Sequence, residues 1–282
     1  MRHTTLVTLC LGAALALSAC QKSGESEVDR ALQSVNAIDD NNLSDLMLTV
    51  ADANEAVAYF KRTTAEFPDR VDLQRNLAKS LVRANHNTEA VAAWKKTVSM
   101  PGATSADSVD YADALIRANE WTAAEQVLDT IPPTHETFKR YKLEAMVADG
   151  NKEWKKADSF YETAVGLTTK PASTLNNWGY SKLTRGQYRE AERLFGEALQ
   201  YDPKLFTAKN NLVLARGAQR NYAMPIVEMN QVERAQLLHT AALAAIKQGD
   251  VAMGRSLLED AIDTHPQHFE EAVHSLNALE GK

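Results

Sequence analysis

The side chains that could do chemistry are few and poorly assembled. Seven histidines, His3, His86, His135, His239, His265, His268 and His274, are scattered along 282 residues. His265-Pro266-Gln267-His268 has the spacing of a short metal motif. Proline, however, breaks the helix that would align the two rings, and no phased carboxylate completes a site. These histidines read as surface residues. There is no Gly-Lys-Ser/Thr phosphate loop, no Gly-x-Ser-x-Gly elbow and no His-Glu-x-x-His motif. Acidic pairs such as Asp39-Asp40 and Glu270-Glu271 fall at turns or helix starts, where they complement the helix dipole. Neither catalysis nor a bound metal or cofactor is expected. With 31 basic against 37 acidic residues and no basic cluster, nucleic acid is not an expected partner either.

The two cysteines, Cys10 and Cys20, sit in the first twenty residues. Arg2 gives a basic start, an apolar run extends from Leu6 to Ala19, and Leu17-Ser18-Ala19-Cys20 closes it. That run falls short of the ~20 residues a membrane-spanning helix needs. The small residues before Cys20 suit a signal-peptidase pocket, and a polar segment, Gln21-Lys22-Ser23-Gly24-Glu25, begins at once. Residues 1–19 resemble a bacterial lipoprotein signal peptide. The resemblance implies cleavage before Cys20, acylation of that cysteine, and, through Gln21, placement in the cell outer membrane facing the periplasm. More than one acyl chain would hold the protein stably. The mature chain of 263 residues would then carry no free thiol, which excludes a disulfide framework, a cysteine nucleophile and thiolate metal sites. Residues 20–36 read as a flexible tether with a reach on the order of 20 Å.

The remainder repeats itself. Ala56, Ala90, Ala124, Ala157 and Ala191 are separated by 34, 34, 33 and 34 residues. Four residues after each stands a large apolar side chain, Phe60, Trp94, Leu128, Tyr161 or Phe195. Three further on comes Thr63, Thr97, Ile131, Ala164 or Ala198. Pro68, Pro101, Pro132, Pro171 and Pro203 punctuate the unit ends. In the first halves, Ser44, Ala78, Ala112, Ala145 and Gly179 form a second column of small residues. Residues at i, i+4 and i+7 share one helix face, so each unit reads as two antiparallel helices whose axes approach at the small residues. The aromatic column is expected to fill the groove to the next unit. Turns such as Arg185-Gly186-Gln187 and Gln248-Gly249-Asp250 separate the two helices. A helix pair cannot bury both faces alone, so the units must stack.

The expected fold is an all-α solenoid over 37–282. Its units are 37–70, 71–104, 105–137, 138–171, 172–205, a degenerate 206–234 and 235–268, with a capping helix at 269–280. Met224-Pro225 interrupts the sixth unit, and Gly254 replaces the alanine of the seventh. On the first helices, residues spaced by four that avoid the packing stripe could line a peptide groove. These are Arg75 and Lys79, Asp113 and Arg117, Lys142 and Met146, Asn176 and Tyr180, and Asn210. A solvated helix face accounts equally well for any single one of them. For Asn176-Asn177 and Asn210-Asn211, one asparagine is expected to face the adjoining helix and the other the groove, with structure favoured over recognition.

The clearest unit contains Leu175-Asn176-Asn177-Trp178-Gly179-Tyr180, Gly186, Tyr188, Glu190-Ala191, Phe195, Ala198-Leu199 and Asp202-Pro203. It resembles a tetratricopeptide repeat (TPR). Taken with Leu17-Ser18-Ala19-Cys20, Asn210-Asn211-Leu212 and Gln248-Gly249-Asp250, the whole chain resembles the TPR lipoproteins of tight-adherence (Flp) pilus assembly, the TadD family. That resemblance implies a pilotin-like scaffold, assisting assembly or localisation of the pilus secretin by protein–protein binding, with membrane contact through acylated Cys20. The same scaffold could alternatively serve as a periplasmic adaptor for cell-wall enzymes or outer-membrane protein biogenesis. Pro225 and Gly254 depart from the regular pattern.

Overall fold

A computed structural model describes residues 43–281, so Cys20, the signal peptide and the tether lie outside the described residues. Within them every regular element is a helix and no strand occurs. No described helix is long and apolar enough to cross a membrane. The chain divides into two compact units, one ending at Ala118 and one beginning at Asn119.

The first unit opens with a helical stretch, 43–49, followed by α1 (Ala53–Glu66), α2 (Val71–Arg83), α3 (Asn87–Ser99) and α4 (Ser105–Arg117). Asp52 starts α1 by accepting from the amides of Asn54 and Glu55 at 2.8 and 3.3 Å, satisfying donors that a helix start leaves open. Thr104 and Asp107 form a capping box on α4. Ala56, Phe60, Ala78, Leu81, Ala90 and Trp94 meet in one core. At its edge the Arg83 guanidinium donates to the carbonyls of Met47, Leu48, Ala51 and Asp52, tying 43–49 to α2.

The second unit contains α5 (Trp121–Asp129), α6 (Phe138–Gly150), α7 (Trp154–Gly166), α8 (Ala172–Thr184), α9 (Tyr188–Tyr201) and α10 (Phe206–Gly217). After a non-helical passage come α11 (Gln231–Lys247), α12 (Val251–Thr264) and the closing α13 (Glu270–Glu280). Hairpins α6–α7, α8–α9 and α11–α12 each turn within three residues. One residue per turn takes the left-handed conformation: Lys152, Gly186 and Gly249, as Asn85 does between α2 and α3. The next amide reaches back five residues, Glu153 to the Ala148 carbonyl at 2.8 Å and Gln187 to that of Lys182 at 2.9 Å. This is the Schellman closure of a helix end. The sequence pattern exposes that position only where it is glycine; asparagine and lysine also occupy it.

Alanines 56, 90, 124, 157 and 191 are all fully buried, and the large residues four positions on are at most 2% exposed. Phe195 shares a cluster with Ala208 and Leu212 of the following helix, but its ring also lies over Gly179 of its own hairpin. An added Cβ at Gly179 would stand 2.7 Å from that ring. The aromatic therefore packs within its own hairpin as well as toward the next.

The sixth repeat begins like the others. Arg220 is left-handed (φ 58°) and the Asn221 amide bonds to the Arg216 carbonyl at 3.0 Å. No second helix comes after it. Pro225 removes a donor and fixes φ where that helix would run, and residues 221–230 form a strap instead. Tyr222, Met224 and Met229 pack on the core of α11 and α12, and Val227 packs on that of α9 and α10. Asn230 and Glu233 form a capping box, so α11 begins at Gln231, ahead of the unit boundary read from the sequence at 235. Gly254 is a close-contact site: a Cβ there would meet Ile246 Cγ1 at 2.4 Å and the Ala242 carbonyl at 3.2 Å.

Gly217 tests this packing. A Cβ there would lie 2.6 Å from that of Ala244, an atom fixed to its backbone, so α10 and α11 would have to part. Gly217→Ala gains about 0.5–1 kcal/mol of helix propensity but costs about 1–3 kcal/mol in overpacking. We expect a lower melting temperature. Gly196→Ala, where no atom lies within 4 Å of the new Cβ, should instead raise it. Thermal denaturation of both variants decides the matter.

Candidate partner-binding face

In the second unit the first helices of successive hairpins lie side by side, joined by polar links between residues about one repeat apart. Asn177 Nδ2 donates to Met146 Sδ at 3.8 Å, Asn211 Nδ2 to Asn176 Oδ1 at 3.0 Å, and Thr240 Oγ1 to Asn210 Oδ1 at 2.8 Å. The row ends on α13, where His239 Nε2 and Ser275 Oγ are 3.0 Å apart. Burial disfavours the charged form of His239 and lowers its pKa. Both asparagines of each pair thus join the row, and Asn211, Thr240, His239 and Ser275 extend it beyond the residues the sequence singles out. The carboxamide oxygens of Asn176 and Asn210 are occupied, while their Nδ2 groups make no hydrogen bond among the described residues. One turn further along the same face stand Tyr180, Leu214 and Leu243. Tyr180 is 52% and Leu243 46% exposed.

The other candidates fare differently. In the first unit Arg75 is engaged in a bidentate pair with Asp107 at 2.5 and 2.8 Å, binding α2 to α4. Burial opposes ionisation of Asp107, but Arg75 and Thr104 outweigh it and lower the pKa. Arg117 pairs with Asp113 on its own helix at 3.1 Å. Lys79 is exposed and Tyr180 has no polar partner among the described residues, whereas Lys142 is engaged. Pro203 lies just beyond α9 and lines a recess beside it. His265 Nδ1 accepts from the Gln267 amide and its ring stacks on Phe269 at 5.0 Å. No group of metal-ligating side chains is assembled among the described residues.

A second cluster holds adjacent hairpins together. Asp158 on α7 accepts from Trp178 Nε1 at 2.7 Å, Lys182 Nζ at 2.8 Å and Arg185 Nη2 at 2.7 Å, all from α8 or its end. Burial opposes its ionisation, yet these donors prevail and hold the carboxyl at about 2. The Arg185 guanidinium also lies 5.2 Å from the Trp154 ring centre. Nearby, burial pushes the Asp149 carboxyl upward although Ser181 Oγ donates to it.

No protein-family model matches the sequence, and no curated protein does. Solved structures do match. A tetratricopeptide repeat protein from Parabacteroides merdae is 14% identical, with a TM-score of 0.58 over 85% of this chain and 96% of its own. The C-terminal part of a TPR repeat-containing protein from Cytophaga hutchinsonii is 15% identical, with a TM-score of 0.56 over 83% and 98%. The APC/C hetero-tetramer Cut9-Hcn1 gives a TM-score of 0.60 at 14% identity; 81% of this chain is covered, against 46% of that one. The fold is the tetratricopeptide repeat. At these identities the likeness speaks for fold alone, so function must be argued from the helix faces.

Asp158→Asn removes the charge that three donors share and should cost about 1–3 kcal/mol. Folding lowers the Asp158 pKa from 3.8 to about 2. Its stabilisation is therefore fully present above pH ~4 and is lost as pH falls through the folded value. Urea unfolding between neutral and strongly acidic pH should show a shallower acid-side loss in the variant than in the parent protein.

Proposed function

We propose that this protein is a lipid-anchored interaction scaffold at the outer membrane, assisting assembly or localisation of a tight-adherence pilus secretin. One observation carries the binding half of the proposal: the unspent amide donors of Asn176 and Asn210 beside the exposed Tyr180 and Leu243. Main-chain carbonyls of a partner segment can accept from the two amides, while its apolar side chains bury against the aromatic and aliphatic positions one turn away. The links to Asn211 and Thr240 hold the amides in place before a partner arrives, which reduces the ordering cost of binding. The membrane half rests on Leu17-Ser18-Ala19-Cys20 and on the likeness to TadD lipoproteins. An acyl anchor raises the local concentration of the scaffold where the secretin inserts. The role requires no catalytic step.

Two variants separate the halves. Cys20→Ser should leave the thermal transition unchanged, release the protein from the membrane fraction and reduce secretin multimers in membranes of the native host. Tyr180→Asp combined with Asn210→Leu should keep the protein membrane-bound but abolish its crosslinking to the secretin. Unchanged secretin multimers with Cys20→Ser would overturn the pilus reading. Cell-wall hydrolases crosslinked at Tyr180 in place of the secretin would transfer the same face to an adaptor role.

A further inference from the structure

Away from the amide row, the interrupted sixth repeat leaves a recess of about 660 Å³ between α9, α10 and the strap. That volume is in the range of specific ligand and anchor pockets, ~300–1,000 Å³. Its walls are mainly apolar, lined by Leu199, Pro203, Leu212, Met224 and Val227 together with Arg216. The α9 wall is bare at Gly196, where an added Cβ would find no atom within 4 Å. A second helix would fill this place in a regular repeat; the strap covers only part of it.

At the lip stands Ile226, fully exposed. It is not a loose loop residue. The Val227 amide bonds to the Pro225 carbonyl at 3.0 Å, a three-residue turn with Ile226 at its apex. Met224 and Val227 on either side are packed into two different core clusters. Both strap ends are tied down, one by Arg220 to Asp250 at 2.8 Å and the other by the capping box at Asn230. An apolar knob is thus presented rigidly beside an apolar hole.

We propose that this face is a self-association surface, in which Ile226 of one copy enters the recess of a second copy and receives that copy's Ile226 in return. Knob and hole on one patch meet the condition for a two-fold interface, where each surface must complement itself. The surrounding charges agree. Arg216, on the recess wall, pairs with Glu192 at 2.8 Å. Glu228 and Lys204 both line an adjoining recess. A rim of balanced opposite charges does not repel its own copy, whereas it offers a strongly acidic or basic partner no net attraction. The inference is independent of the amide row and of the membrane anchor.

Sedimentation velocity of the full chain in mild detergent, over a wide range of protein concentration, tests it. The parent protein should show a concentration-dependent dimer. Ile226→Asp changes a fully exposed residue, should leave the melting temperature unchanged, and should weaken dimerisation at least about tenfold. Gly196→Phe, which fills the hole from its own wall, should have the same effect, while Tyr180→Asp on the amide-row face should not. A parent protein that stays monomeric at every concentration would overturn the proposal. So would a dimer that survives Ile226→Asp, or one that Tyr180→Asp dissolves.

Discussion

Two α-helices can cross closely only where one of them offers almost no side chain, and the placement of those crossings governs the rest of this structure. At Gly179 a ring occupies the volume a Cβ would need, at Gly217 another Cβ occupies it, and at Gly254 an isoleucine and a carbonyl do. The buried alanines of the second helices serve the same end. Close crossing brings the large residue four positions on against the neighbouring helix, so burial of Phe60, Trp94, Tyr161 and Phe195 depends on small residues elsewhere in the chain. Since the hairpins are held apolar face to apolar face, their first helices are free to present a polar one.

That polar face is ordered by links between hairpins rather than within them. Asn176 to Asn211, Asn210 to Thr240 and His239 to Ser275 join residues about one repeat apart, so the row exists only once neighbouring hairpins have docked in register. The Asp158 cluster performs a comparable task lower in the stack, where one carboxylate gathers donors from Trp178, Lys182 and Arg185. Arg75 and Asp107 link α2 to α4 in the first unit. Charged residues that a helical wheel places outside the packing stripe are in several cases the fasteners of the stack, whereas the Asn176 and Asn210 amide donors, Lys79 and the Tyr180 hydroxyl have no polar partner among the described residues.

The interruption at Pro225 is an alteration of one repeat rather than the end of the array. The chain completes the left-handed turn at Arg220, lays down a strap whose side chains serve two cores, and restarts a helix at the Asn230–Glu233 cap. The seventh hairpin and α13 then close the unit, with Phe269 beside the rings of His239 and His265. Losing one helix therefore opens a recess without unseating α11, α12 or α13.

The sequence by itself determined the helical class, the hairpin phase and the burial of the alanine and aromatic columns, because all three arise from local spacing on a helix of 3.6 residues per turn. It also made Pro225 legible as a break, since proline acts on its own backbone. The turns at Asn85 and Lys152 were not legible, because a left-handed residue that is not glycine is imposed by helices already packed on both sides. Neither was the engagement of Arg75 with Asp107, nor the restart of α11 at Gln231, although Asn230 and Glu233 carry the spacing of a cap. The fate of each polar side chain on the first helices was decided by the tertiary structure alone. Whether an asparagine or an arginine is spent or available depends on the residue a neighbouring hairpin places within ~3 Å of it, a distance that spacing along one helix does not encode.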